Sequence, residues 1–127
     1  MGRKESDFLG EVELEDENYF VVQTKRALNN FNISGQNISQ FPEFINALAK
    51  IKKAAALANF NLGGLSKEIT DAICYACDQI LLGKYYNQFI IDPIQGGAGT
   101  STNMNVNEVI ANIALEYIGK KKVNINF

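Results

Sequence analysis

The sequence predicts a mainly α chain, with a short extended N-terminal segment and about three main helices. Three observations carry this. Apolar residues recur at helical spacing in three separate stretches, capping residues flank those stretches, and a β-prone pattern is confined to the start of the chain. The 127 residues suit one domain. A chain of that size buries roughly two thirds of its unfolded surface, enough for a core.

The elements follow in order. Residues 11–17, EVELEDE, alternate before turning acidic, so Val12 and Leu14 share one side of a short exposed strand. The β-prone NYFVVQT (18–24) extends that strand or pairs with it. NNFNISGQN (29–37) reads as loop. A first long helix begins near Pro42, a favoured first-turn residue. Phe44, Leu48, Ile51, Ala55 and Ala58 form its apolar face, Lys50, Lys52 and Lys53 a solvated one, and it stops around NFNLGG (59–64). A second helix starts with Ser66 as N-cap, carries Ile69, Ile73, Ala76 and Ile80, and stops at Gly83. KYYNQFIIDPIQ (84–95) breaks the helical spacing, and Asp92-Pro93 marks an extended or turning connection. The third helix places Val106, Val109, Ile110, Ile113 and Tyr117 on one face. Asn103 or Asn105 caps its start, Glu108 suits its first turns, and Gly119 ends it before Lys120, Lys121 and Lys122.

Composition narrows the function classes. A net charge of −2 gives no general attraction to nucleic acid or to anionic membranes. No apolar run approaches the roughly 20 residues of a bilayer span, and MGRKESDF lacks the apolar segment of a secretory signal. Met1-Gly2 with Ser6 matches a myristoylation pattern, but Lys4 and the lack of a second membrane signal argue against it. The expectation is a soluble cytoplasmic protein with no nucleic-acid or membrane partner. Cys74 and Cys77 form a lone CxxC. A zinc site needs two further ligands, and without His these would be carboxylates. The pair reads as two small apolar residues inside a helix, and no metal site is expected.

The stretch QGGAGTSTNMNVNEV (95–109) is written like neither a core element nor a linker. It is a glycine turn feeding a helix N-terminus, where unpaired backbone N–H groups and partial positive charge favour anions. Glycines let the backbone approach a ligand, Thr100, Ser101 and Thr102 add hydroxyl donors, and the asparagines add amides. The chemistry suits a small carboxylate or phosphate. The phosphate patterns fit poorly: Thr100 follows Gly99 where a Walker A loop has Lys, and Thr102 stands where a dinucleotide fingerprint has its third Gly. A glycine turn with helix-capping asparagines and no ligand fits the same residues.

The string GGAGTSTNMNVNEVIAN (96–112) closely resembles a characteristic segment of the aspartase/fumarase superfamily. DFLGE (7–11), VQTKRALNNF (22–31), IKKAAALAN (51–59) and NQFIIDPIQGGAGTS (87–101) extend the resemblance, in order, along nearly the whole chain. TNMNVNEVIAN (102–112) is shared with fumarases and does not discriminate. The Gly97-Ala98-Gly99-Thr100 turn, preceded by DPIQG, looks like the aspartase branch rather than the Gly-Ser-Gly-Thr of fumarases.

The resemblance implies the N-terminal domain of a three-domain helical chain that assembles as a homotetramer, with residues 1–127 lacking the central bundle and the C-terminal domain. It implies no organic cofactor, with a divalent cation at most as an activator. The implied reaction is reversible elimination of ammonia from L-aspartate to give fumarate, with a serine base on a distant loop. By resemblance, Thr100 donates its hydroxyl to a substrate carboxylate, Ala98 and Gly99 line the same turn, and Ser101, Asn103 and Asn105 support it. No catalytic residue falls within 1–127, so this chain alone is expected to be silent: the resemblance places the His- and Ser/Thr-containing segments and the serine loop after KKKVNINF. Fumarase, another superfamily lyase, or a non-catalytic binding module are the alternatives. In one departure, Val21 stands in Tyr19-Phe20-Val21-Val22 where the family usually has Gly, which implies strain if that position needs positive φ.

Overall fold

The computed structural model describes residues 2–123; Met1 of the lipidation pattern and residues 124–127 of the KKKVNINF segment lie outside them. Two antiparallel strands, β1 (Gly2–Asp7) and β2 (Gly10–Glu15), are followed by four α-helices: α1 (Val22–Asn30), α2 (Pro42–Asn61), α3 (Lys67–Leu81) and α4 (Thr100–Tyr117). Short 3₁₀ turns occupy Ile38–Gln40 and Tyr86–Gln88. The mainly α expectation holds, with one helix more than the periodicity indicated.

The hairpin pairs Arg3 with Leu14 and Glu5 with Val12. Val12 and Leu14 do share the inward side, and Leu14 is buried. Its partner β1 carries no apolar alternation, which is why the sequence did not reveal it. Arg3 instead spreads its guanidinium over the carbonyls of Glu15, Asp16 and Asn18, and Arg26 on α1 binds Asp7 at 2.9 Å.

The 18–24 segment is not a strand extension. It turns helical at Val22, because a buried acceptor from another helix satisfies the amides that open α1. Glu108 of α4 accepts from the N–H groups of Val21 (2.6 Å), Gln23 (2.7 Å) and Thr24 (3.2 Å), and from the Thr24 hydroxyl (2.7 Å). Val21, the N-cap, offers no side-chain cap of its own. Its φ is −130°, so the strain implied by the missing Gly does not arise. Glu108 therefore lies in the middle of α4 and caps α1, rather than serving the first turn of its own helix.

Pro42 opens α2 and Ser66 caps α3, its hydroxyl accepting the Ile69 N–H at 3.3 Å. Gly63, Gly83 and Gly119 take positive φ just beyond the ends of α2, α3 and α4, as the sequence indicated. The predicted apolar face of α2 is wrong. Ile45, Ala49 and Ala56 are its buried residues, whereas Phe44, Ile51, Ala55 and Ala58 are exposed and Leu48 is half-buried. Two of the three buried residues are alanines, and the larger Phe44, Ile51, Leu57 and Phe60 are exposed. Nor are the lysines simply solvated: Lys53 pairs with Asp78 at 2.7 Å and Lys52 donates to Asn103. On α3, Ala76 and Ile80 are buried with Ala72 and Cys77, and Ile69 faces outward. Both cysteines are free on α3, as read; burial pushes the Cys77 thiol up to about 12.

The core gathers around α4, where Val106, Val109, Ile110 and Ile113 meet Ile80, Phe89 and Ile91. Full burial of a side chain such as Phe89 contributes about 1.5–3 kcal/mol. Tyr117, predicted on that face, is exposed and stacks on Tyr75 with centroids 4.2 Å apart. Between these apolar residues α4 also buries Asn105, Glu108 and Asn112. Asn105 donates to the Gln88 carbonyl (3.0 Å) and Asn112 to the Tyr19 carbonyl (2.9 Å), so α4 grips the 19–24 and 86–88 segments by their backbones. Lys122 folds back over the Tyr19 ring, 3.7 Å from its centroid.

Candidate functional site

The glycine turn delivers the chain to the start of α4. Gly97 (φ 89°) and Gly99 (φ 82°) both adopt left-handed backbone, which a Cβ would strain. Gly99 is itself the N-cap, so α4 begins at Thr100 and neither Asn103 nor Asn105 caps it. The left-handed Gly99 closes the turn, and its carbonyl accepts the Asn103 N–H at 3.1 Å, so α4 starts at Thr100, well before Val106 where the apolar periodicity begins.

A groove of about 470 Å³ opens beside this turn. Gly97, Ala98 and Gly99 form one wall with Thr102 and Asn103, and Phe44 and Leu48 of α2 face them. Thr100 is exposed next to that wall, and Ser101 is half-buried. Among the described residues the Thr100 and Ser101 amides meet no protein acceptor, so the first turn offers two free N–H donors and the Thr100 hydroxyl. Asn103 stands at the rim, where its side-chain carbonyl accepts from Lys52 and brings a cation to the edge of the groove. Asn105 is elsewhere. It is fully buried on the Gln88 carbonyl, and among the described residues its own Oδ1 has no partner. The structure thus brings Ala98, Gly99, Thr100, Ser101 and Asn103 together and sets Asn105 behind them.

Two residues that shape the turn were not singled out in the sequence. Asp92, read only as part of a turn, is buried and accepts from the N–H groups of Ile33, Ser34 and Ile94 and from the Ser34 hydroxyl. Burial works to raise its pKa, but the donors from Ile94, Ser34 and Ile33 prevail and hold it at about 2. Gln95 accepts the Thr102 N–H (3.3 Å) and donates to the Thr102 hydroxyl (2.8 Å) and the Asp92 carbonyl (3.2 Å). An Asp-Pro turn followed by Gln is too common a pattern to have revealed either role. Among the described residues no cluster of His, Cys, Asp or Glu could hold a metal ion, and no helix is long and apolar enough to cross a membrane.

The small helical fold agrees with what comparison with known proteins finds. A family model described as Lyase matches residues 10–126, and the chain belongs to that lyase family. The chain is similar to several proteins named aspartate ammonia-lyase. It is 54% identical over 125 residues to the aspartate ammonia-lyase of Helicobacter pylori strain J99, covering 98% of this chain and 27% of that protein. It is 58% identical over 120 residues to the aspartate ammonia-lyase of Bacillus subtilis strain 168, covering 94% and 25%. A crystal structure of fumarate lyase:delta crystallin from Brucella melitensis bound to cobalt superposes with a TM-score of 0.94 at 48% identity, covering 96% of this chain and 26% of that one. The chain spans about a quarter of the length of the curated relatives it matches.

Proposed function

We propose that this chain is the N-terminal domain of an aspartate ammonia-lyase, which deaminates L-aspartate reversibly to fumarate and ammonia. The observation that carries the reading is the pair of free first-turn amides beside the exposed Thr100 hydroxyl, at the end of a left-handed glycine turn. Removing a proton next to the β-carboxylate builds a dianion, and donors fixed in advance stabilise charge that develops in the transition state. Thr100 and the turn at Ala98 and Gly99 bind one substrate carboxylate. Ser101 and Asn103 support them, and Asn105 acts at a distance by fixing the 86–88 segment under α4. The serine base and the remaining substrate contacts come from chain segments, and from neighbouring subunits of a tetramer, beyond residues 1–127. No organic cofactor takes part, a divalent cation serves only as an activator, and the protein works in the cytoplasm.

The test is an assay of the full-length protein carrying this segment, following fumarate formed from L-aspartate and from malate. Turnover of L-aspartate supports the reading. Turnover of malate alone makes the protein a fumarase, and a folded product active on neither makes the domain a binding module. In the active enzyme Thr100→Val is expected to lower kcat/KM by about 100-fold or more, the usual loss for one such donor. Unchanged kinetics would remove Thr100 from the site.

A further inference from the structure

The free amides at the start of α4 are useful only if the turn holds them in one direction, and the turn is poorly built to do so alone. Three of its residues are glycines, two of them in left-handed backbone, and its N-cap has no side chain. We infer that Gln95 is a positioning residue for the carboxylate-binding turn, its side-chain amide bridging the two ends of the 92–102 segment. This inference rests on the function proposed above.

The geometry is that of a clamp. The Gln95 carbonyl oxygen accepts the Thr102 N–H, and its NH₂ donates both to the Thr102 hydroxyl and to the Asp92 carbonyl. One planar amide therefore fixes the first turn of α4 to the residue where the turn begins. That residue is anchored in its own right: Asp92 is buried and holds the 33–34 loop and the Ile94 amide through its carboxylate. The chain of contacts runs from the 33–34 loop through Asp92 and Gln95 to Thr102, and leaves the next two amides, Thr100 and Ser101, for a ligand. Gln95 also closes one side of the groove. Only a neutral amide meets all these needs. A Glu of the same shape would accept from the Thr102 N–H and hydroxyl but offer no donor to the Asp92 carbonyl. It would also set a negative charge where a dicarboxylate must bind.

The experiment compares Gln95→Leu and Gln95→Glu with the wild type in the full-length protein, by steady-state kinetics and by amide hydrogen exchange over residues 96–103. Gln95→Leu is expected to speed exchange there at least tenfold, leave exchange in α3 unchanged, and lower kcat/KM for L-aspartate about 10- to 100-fold, mainly through KM. Gln95→Glu is expected to be worse at neutral pH and to recover as pH falls and its carboxyl regains a proton to donate, a pH response Gln95→Leu will not show. Wild-type exchange over 96–103 in Gln95→Leu overturns the clamp, whatever reaction the protein catalyses. Faster exchange with unchanged KM and kcat overturns the positioning role. A wild type without activity on L-aspartate overturns the proposed lyase function and reduces Gln95 to a structural brace.

Discussion

Glu108 is a single side chain whose removal separates two helices. Among the described residues its carboxylate is the only side-chain acceptor for three amides that open α1 and for the Thr24 hydroxyl, and Val21, Thr24 and Glu108 itself are all buried. Burial pushes its pKa up, while hydrogen bonds from Thr24, Val21 and Gln23 pull it down; burial prevails. Glu108→Ala strands at least two buried donors, at about 1–3 kcal/mol each. It also recovers part of the cost of burying a carboxylate, so the expected net loss is about 3–4 kcal/mol, a large share of the roughly 5–15 kcal/mol that stabilises a domain. With a urea slope near 2 kcal/mol/M, the unfolding midpoint falls by about 2 M. Glu108→Gln keeps one acceptor oxygen but turns an NH₂ toward other donors, and is expected to lose about 2 kcal/mol. Hydrogen exchange locates the damage: amides of 22–30 are expected to exchange faster before those of α3. A loss below about 1 kcal/mol for Glu108→Ala, with unchanged protection of α1, would show that local propensity rather than the Glu108 cap makes this segment helical.

Val21→Gly, which puts in the residue the resemblance implied there, is expected to destabilise by about 2–3 kcal/mol, because φ is already unstrained and a fully buried side chain is lost. A gain in the thermal midpoint would refute this. Its hydrogen bonds hold the Asp92 carboxyl at about 2 against an ordinary 3.8, so its contribution to stability is complete above about pH 5 and is lost as pH falls through 3.8 toward 2. Acid titration of the midpoint should therefore steepen in that window for the wild type and flatten for Asp92→Asn; equal slopes would remove Asp92 as the acid-sensitive anchor.

What the sequence revealed divides along a physical line. The ends of α2 and α3 were legible because Pro42, Ser66, Gly63 and Gly83 act through their own backbone. The core face of α4 was legible because Val106, Val109, Ile110 and Ile113 obey one period. The start of α1 was not, because its cap lies more than eighty residues away on α4. β1 was missed because its inward side consists of charged residues that pair rather than of apolar ones. The face of α2 was misjudged because periodicity counts large residues, whereas close helix packing selects small ones, here Ala49 and Ala56. At the site, the glycine turn and the helix it feeds were legible. Gln95 and Asp92 were not, since nothing local distinguishes a clamp from an ordinary turn.

The same division bears on the expectation that TNMNVNEVIAN (102–112) does not separate one lyase from another. Of its polar residues only Thr102 and Asn103 reach the groove wall, and Asn107 is half-buried on another side of the helix. Asn105, Glu108 and Asn112 spend their polar atoms on the backbone of Gln88, on the start of α1 and on Tyr19. These contacts hold the domain together and never meet the groove. A motif built mostly of such contacts follows the fold, and any chain with this arrangement of helices needs it regardless of the bond it breaks. On the proposed function, discrimination between substrates is then expected in the turn, where Ala98 occupies the wall, and in whatever faces that wall across the groove. An Ala98→Ser exchange in the full-length enzyme, which adds one hydroxyl to that wall, should therefore alter the preference between L-aspartate and malate while leaving thermal stability unchanged. A variant of unchanged preference would move the source of specificity off this domain altogether.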